Sequence, residues 1–257
     1  MSANASLIEQ YEQLDPTVTY RRQESDMRFS TPNRLTLWRV ETVLHKEPDT
    51  IEWIESFARD EVFVDIGANV GMYTIWAARV AGARVIAFEP EAQNYALLCR
   101  NIALNELGDR AVAYCAAIAD APGFGLLHVS TVGAGHSCHS FGESVDFKLE
   151  PRAFPFAQGS FSATLDELVA ADVIPQPHHV KIDVDGIEHK VVAGARRTFA
   201  DARCQSVLVE INRNLPAHRA IVEELSAMGF NHSQAEADKS LRTEGLFEGC
   251  GNYVFRR

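Results

Sequence analysis

Residues 62–74, VFVDIGANVGMYT, run an apolar stretch into an acid-Gly turn that opens onto helix-forming sequence. That order leaves little freedom. A buried strand takes the apolar run, glycine lets the backbone turn, and the following helix presents its N-terminus to a ligand, as in parallel α/β sheets that hold a nucleoside cofactor. A second buried-strand pattern, ARVIAFEPE at residues 83–91, ends in Glu89. A carboxylate at a strand end can accept hydrogen bonds from both hydroxyls of a ribose. Together the two segments imply an adenosine.

The turn discriminates among adenosine cofactors. It reads Gly67-Ala68-Asn69-Val70-Gly71, which is not the G-x-G-x-x-G that makes room for a pyrophosphate, and no G-x-x-x-x-G-K-[ST] is present to hold a triphosphate. Asp65, just before the turn, would repel phosphates but can orient the ammonium of an amino acid. The combination points to S-adenosylmethionine.

Five segments in this order, VFVDIGANVGMYT, AFEPEAQNYALLCRN, AAIADAPG, VKIDVDGIEHKVVAGA and VLVEIN, resemble the FkbM family of S-adenosylmethionine-dependent methyltransferases. The likeness covers most of the chain, and the pair DIGANVG with KIDVDGIE is its most particular part. Asp185 departs from the family pattern, where Glu is commoner. The resemblance implies a Rossmann-like, doubly wound, mostly parallel seven-stranded sheet with helices on both faces. It also implies roles: Gly67 and Gly71 admit the methionine part, Asp65 helps hold its amine, Asn69 shares that turn, Glu89 takes the ribose, and Ala117 and Ile118 line the adenine. Asn94 is a further cofactor candidate, with an ordinary helix position as its other reading. FkbM-like enzymes are associated with O-methylation of natural products and saccharides, so a hydroxyl on a small molecule or saccharide is the expected acceptor. N-methylation, or a non-catalytic protein that binds the cofactor as a partner or sensor, stays open.

Composition narrows the class. Hydrophobic residues at 46% and charged ones at 23% are ordinary for a globular protein, and no stretch is long and apolar enough for a membrane span. The net charge of −11 opposes a nucleic-acid partner, whose binding needs Lys and Arg set against phosphates. The N-terminal MSANASLIEQYEQL lacks the basic-then-apolar pattern of a signal peptide, and five scattered cysteines fit reduced thiols, so a cytoplasmic protein is expected.

Residues 1–58 read as an N-terminal extension ending in a covering helix, with Asp49 and Glu52 as its capping signal. Residues 59–257 read as the methyltransferase domain, in which strands and helices alternate. A Gly- and Ser-rich stretch at about 120–160 interrupts that rhythm as a binding loop or an extra hairpin.

Strand-end acids are the natural candidates for chemistry. Asp65, Glu89, Asp183 and Glu210 end four predicted strands and converge on the ligand side of the sheet. Asp183, in VKIDVDGIE, can orient a hydroxyl and take its proton, or it can balance the sulfonium charge. Glu210 is a second catalytic candidate. His136 is either a general base from the interrupting loop or a surface histidine. Asp183, Asp185, Glu188 and Glu210 are oxygen ligands of the type magnesium prefers, and the H-x-C-H of His136, Cys138 and His139 lacks a fourth zinc ligand. No metal is expected.

Overall fold

The computed structural model describes residues 3–14 and 16–257; Met1, Ser2 and Asp15 of the expected N-terminal extension lie outside them. The chain opens with α1 (Ala3–Gln13), the hairpin β1 (Thr17–Arg22) and β2 (Ser25–Ser30), α2 (Arg34–Lys46) and α3 (Pro48–Glu55). Then come β3 (Val62–Ile66), α4 (Met72–Trp76), β4 (Arg84–Phe88), α5 (Ala92–Leu104), β5 (Ala111–Tyr114) and β6 (Ala117–Ile118). The interrupting region holds β7 (Gly123–Val129), β8 (Ser140–Phe141) and β9 (Phe156–Ala163). It leads to α6 (Leu165–Ala170), β10 (His179–Ile182), α7 (Glu188–Ala193), α8 (Arg196–Ala200) and β11 (Ser206–Asn212). The last elements are α9 (Pro216–Ala227), β12 (Asn231–His232), α10 (Gln234–Ser240) and β13 (Cys250–Arg256).

Seven strands form one sheet in the order β12-β13-β11-β10-β3-β4-β5. Pairing is parallel from β11 to β5, whereas β13 runs antiparallel to both β11 and β12. The sheet is therefore mixed, which corrects the mostly parallel one expected. A parallel neighbour requires a crossover that returns the chain to the starting end of the strand. The seven-residue α10 does not make that return, and β13 starts at the end where β12 stops.

The central strands β3 and β10 are buried along their whole length because both faces are covered. Alternate residues point to opposite faces. Phe63, Val85 and Ala87 pack on one face with Ile75, Trp76 and Leu98. Val64, Ile66, Val180 and Ile182 pack on the other with Val191, Phe199 and Leu225.

The N-terminal segments join the first of these cores through Met27, Phe29, Val40 and Trp53. Two asparagines of α5 and its C-terminal cap fasten β2 to the domain. Asn101 Oδ1 accepts the Ser30 N–H at 2.8 Å, and Asn105 both accepts from the Arg28 N–H (2.8 Å) and donates to its carbonyl (2.7 Å). Helix α3 starts earlier than its predicted Asp49 cap, with Glu47 at the N-cap and Pro48 in the first turn. Proline there has a preset φ and needs no N–H partner.

The interrupting region is a long hairpin, β7 against β9, within a second sheet of order β6-β9-β7-β8. The chain between its strands returns over the ends of β3, β4 and β10.

Candidate active site

The strand order reverses between β3 and β10, with β4 on the far side of β3 and β11 beyond β10. A crevice opens beyond the carboxyl ends of strands at such a point. Gly67, φ 78°, turns the chain out of β3, and a Cβ there would lie 1.9 Å from the Asp183 carbonyl oxygen. Glycine thus lets the ends of β3 and β10 meet backbone to backbone. Gly71, φ 86°, caps α4, and its missing side chain leaves room for Leu98 on α5.

Three cavities share this crevice: a small one against α2 lined by Glu47, Tyr73 and Lys181, and two others, one narrow and one wide, that meet at Asp183. The narrower has apolar walls that include Ile66, Phe88, Ala117, Ile118 and Phe141, with Glu89 and Asn94 as polar groups. The wider encloses about 600 Å³ between α2, the 130–138 loop, the end of β11 and the segment before β13. Gly67, Asn69, His136, Asp183 and Asp185 border both.

Glu89 is buried, and its carboxylate accepts the backbone N–H groups of Asn69 (2.8 Å) and Glu91 (2.9 Å). Burial raises its pKa to about 7 although both amides favour the anion. Asn69, φ 50°, and Asn94 each donate a side-chain N–H to the His136 carbonyl, at 2.9 and 3.0 Å, and Asn94 Oδ1 accepts the Gly135 N–H at 2.7 Å. Asn94 is therefore a staple for the loop as well as part of the wall.

Asp65 lies beneath the crevice. It is fully buried, accepts the Thr74 hydroxyl at 2.7 Å, and places its other oxygen 3.8 Å from the Lys181 ammonium with no hydrogen bond. Burial raises its pKa against the pull of Lys181. Lys181 is itself fully buried, 3.1 Å from Asp183 and 5.1 Å from the centre of the Tyr73 ring. Burial works against the ammonium, but Asp183, Asp65 and Glu47 together raise its pKa. Sequence reasoning missed this lysine, although an alternation that places a cation inside an apolar strand, VKID, was the available signal.

Asp183 follows β10 directly, and its N–H donates to the Ile66 carbonyl at 3.2 Å. Its half-buried carboxylate stands at the junction of the two cavities. Asp185, φ 59°, accepts the Cys138 N–H at 2.7 Å and so binds the interrupting loop to the β10 end. Aspartate tolerates the left-handed conformation that this turn needs. Burial and the neighbouring Asp183 charge raise the Asp185 pKa to about 7. Glu210 reaches the wider cavity, where it accepts from Arg242 at 3.0 Å; burial, then Asp183, raises its pKa well above the usual range.

Asp183, Glu188 and Glu210 each bring a ligand oxygen within 4.8 Å of the others. Each also has a nitrogen partner: Lys181 for Asp183, His218 at 3.2 Å for Glu188, and Arg242 for Glu210.

His136 borders both cavities, while His139, of the same H-x-C-H segment, borders the narrower one. His139 Nδ1 accepts the Ser130 N–H at 3.2 Å, which places the ring hydrogen on Nε2, a buried atom with no partner. Burial lowers the His139 pKa to about 4, so the ring is neutral at physiological pH. Its donor, set among apolar walls, suits an acceptor atom on a nucleoside.

Residues 65–231 match the model of the methyltransferase FkbM domain. The chain belongs to the FkbM methyltransferase family. A relative in that activity class, the hexuronic acid methyltransferase AglP of Haloferax volcanii, is 28% identical over 194 residues, covering 72% of this chain and 70% of its own. Among solved structures, precorrin-6Y C5,15-methyltransferase of Geobacter metallireducens aligns with a TM-score of 0.48 at 14% identity, over 89% of this chain and 93% of that one. The METTL16 methyltransferase domain aligns with a TM-score of 0.49 at 10% identity, over 98% and 88%.

FkbM methyltransferases use S-adenosylmethionine, and the donor set of the narrower cavity fits that cofactor. The buried Glu89 carboxylate, of a chemistry that can accept ribose hydroxyls, stands beside apolar walls suited to a flat base and an unpartnered His139 donor. Among the described residues, no helix is long and apolar enough to cross a membrane.

Proposed function

We propose that this FkbM methyltransferase methylates a hydroxyl oxygen of a saccharide or small natural product. The observation that carries this reading is the position of Asp183 at the junction of the two cavities, within reach of an acceptor in one and a cofactor in the other. The hexuronic acid methyltransferase relative supports a saccharide. A net charge of −11 favours an acceptor other than nucleic acid, and five unpaired cysteines suit a cytoplasmic enzyme.

In this reading Glu89 holds the ribose, Ala117, Ile118 and His139 surround the base, and Gly67 and Asn69 form the turn beside the methionine portion. Gly71 and Asp65 support that turn from beneath. Bound S-adenosylmethionine supplies an electrophilic methyl carbon on a sulfonium. Asp183 orients the acceptor hydroxyl and accepts its proton as the oxygen becomes nucleophilic. His136 closes the crevice from the loop and Glu210 borders the acceptor side, so each is a second candidate for that proton. Alignment of acceptor and donor supplies most of the rate.

Incubation of the protein with S-adenosylmethionine and a panel of hydroxylated sugars, read by mass spectrometry, tests the activity. A gain of one methyl on a sugar hydroxyl is expected, undiminished by EDTA. Asp183→Asn should retain S-adenosylhomocysteine affinity and lose about 10²–10⁴-fold in turnover. Turnover unchanged in this variant would remove Asp183 as the base.

A further inference from the structure

The wider cavity carries a charge pattern that methyl transfer to a neutral alcohol does not require. Arg39, Lys46, Arg152 and Arg242 all reach it, in a chain of net charge −11. Lys46 pairs with Glu47 and Arg242 with Glu210, each at 3.0 Å. Arg39 and Arg152 make no ion pair among the described residues. Arg39 is half-buried on α2, and its Nε donates to the Gly135 carbonyl at 2.7 Å. Arg152 lines the same cavity from an exposed position over the Phe154 ring, 5.0 Å from its centre.

A guanidinium offers a planar fork of donors that matches carboxylate and phosphate oxygens. Arg39 is partly buried with no direct ion pair among the described residues and only the Asp185 charge set against it, so its remaining donors suit an anionic ligand. The other acids of the cavity leave most of the pattern standing: Lys181 pairs with Asp183 and Arg242 with Glu210, so only Asp185, which accepts the Cys138 N–H, sets its charge against Arg39. Trp38 and Phe247 add aromatic surface on which the apolar face of a sugar ring can stack, and about 600 Å³ lies within the range of small-molecule sites.

We propose that Arg39 and Arg152 anchor an anionic group, carboxylate or phosphate, on the methyl acceptor, so that the enzyme selects acidic over neutral saccharides. This rests on the reading of the wider cavity as the acceptor site.

The test is calorimetric binding of three matched probes, p-nitrophenyl β-D-glucuronide, p-nitrophenyl β-D-glucoside 6-phosphate and p-nitrophenyl β-D-glucoside, to the full chain saturated with S-adenosylhomocysteine. One or both charged probes should bind at least about tenfold more tightly than the neutral one. The stronger of the two identifies the anion as carboxylate or phosphate. Arg39→Gln and Arg152→Gln should each reduce that preference, and the double variant should abolish it. Equal binding of all three probes, binding of none, or a preference that survives in the double variant overturns the proposal. The cofactor reading fails separately, if S-adenosylhomocysteine itself does not bind; the preference for charged probes is then measured on the protein alone, where its presence or absence decides in the same way.

Discussion

Glu89 and Lys181 show how differently single charged residues are used around one crevice. Glu89 has a pKa raised to about 7 by burial, yet it would accept ribose hydroxyls best as an anion. Cofactor binding near pH 6.5 should therefore release a fraction of a proton, read as a calorimetric enthalpy that changes with the ionisation heat of the buffer. Glu89→Gln should lose most of that release and about tenfold or more in affinity; an identical release in the variant would assign the proton to another group, with Asp185 next in line. Lys181 is a matter of stability first. Lys181→Met leaves Asp65 and Asp183 without their shared cation, and breaking a buried pair costs about 3–5 kcal/mol. Urea denaturation should show that loss, partly recovered by adding Asp65→Asn; a loss below ~1 kcal/mol would contradict the role. The position of Glu89 was legible in the sequence because an acid directly after an apolar run falls at the carboxyl end of a buried strand, where the crevice opens. Lys181 was not, since only the register of β10 beside β3, which sets Lys181 opposite Asp65, gives a buried lysine its partners.

At the scale of elements, the decisive piece is the loop between β7 and β8. Its backbone is held by Asn69, Asn94 and Asp185 through bonds of 2.7–3.0 Å, and it carries His136 and His139 to the crevice. Asn94→Ala removes two of those bonds from a buried position, a loss of about 1–3 kcal/mol. Hydrogen exchange of amides 133–139 should accelerate in this variant, and S-adenosylhomocysteine should restore part of the protection. Unchanged exchange would mean the loop is held by other contacts. The glycines and serines of this stretch announced a break in the α/β rhythm, but they carry no signal of where the break folds. That is decided by hydrogen bonds to residues far away in the chain.

Across the whole molecule, buried carboxyl groups bias the pH dependence of stability. Glu89 and Asp185 have pKa values near 7, and Glu210 and Asp65 are also raised. A carboxyl with a raised folded-state pKa binds more protons folded than unfolded, so its contribution to stability falls as pH climbs from its ordinary value through its folded one. The lowered values of His139, His179 and His189 act in the opposite sense, but only below the ordinary histidine pKa of 6.5. Between pH 6.5 and 8.5 the carboxyls act in the same sense as His218, whose pKa burial lowers but Glu188 raises above 6.5, and whose contribution is likewise lost as pH climbs. The cofactor-free protein should melt at a lower temperature at pH 8.5 than at 6.5, and Glu89→Gln should shrink the difference. A melting temperature that rises across that interval would show that these groups are not buried as acids.

Much of the fold follows from local pattern. The apolar runs at β3, β4, β10 and β11, each ending in or just before an acid, specify buried strands and place their acids on the ligand side, because side chains alternate and parallel strands share one direction. The turn after β3 excludes a pyrophosphate by its glycine spacing alone. What needed the tertiary structure is everything set by long-range neighbours. The reversed β13 follows from how α10 returns the chain, a feature without local signature. The placement of Arg39 and Arg152 in one cavity comes from folding an N-terminal helix and a remote loop over the same strand ends. Periodicity records which face of an element is buried, whereas charge pairing and cavity shape depend on which elements meet, and that is decided only when the chain has packed.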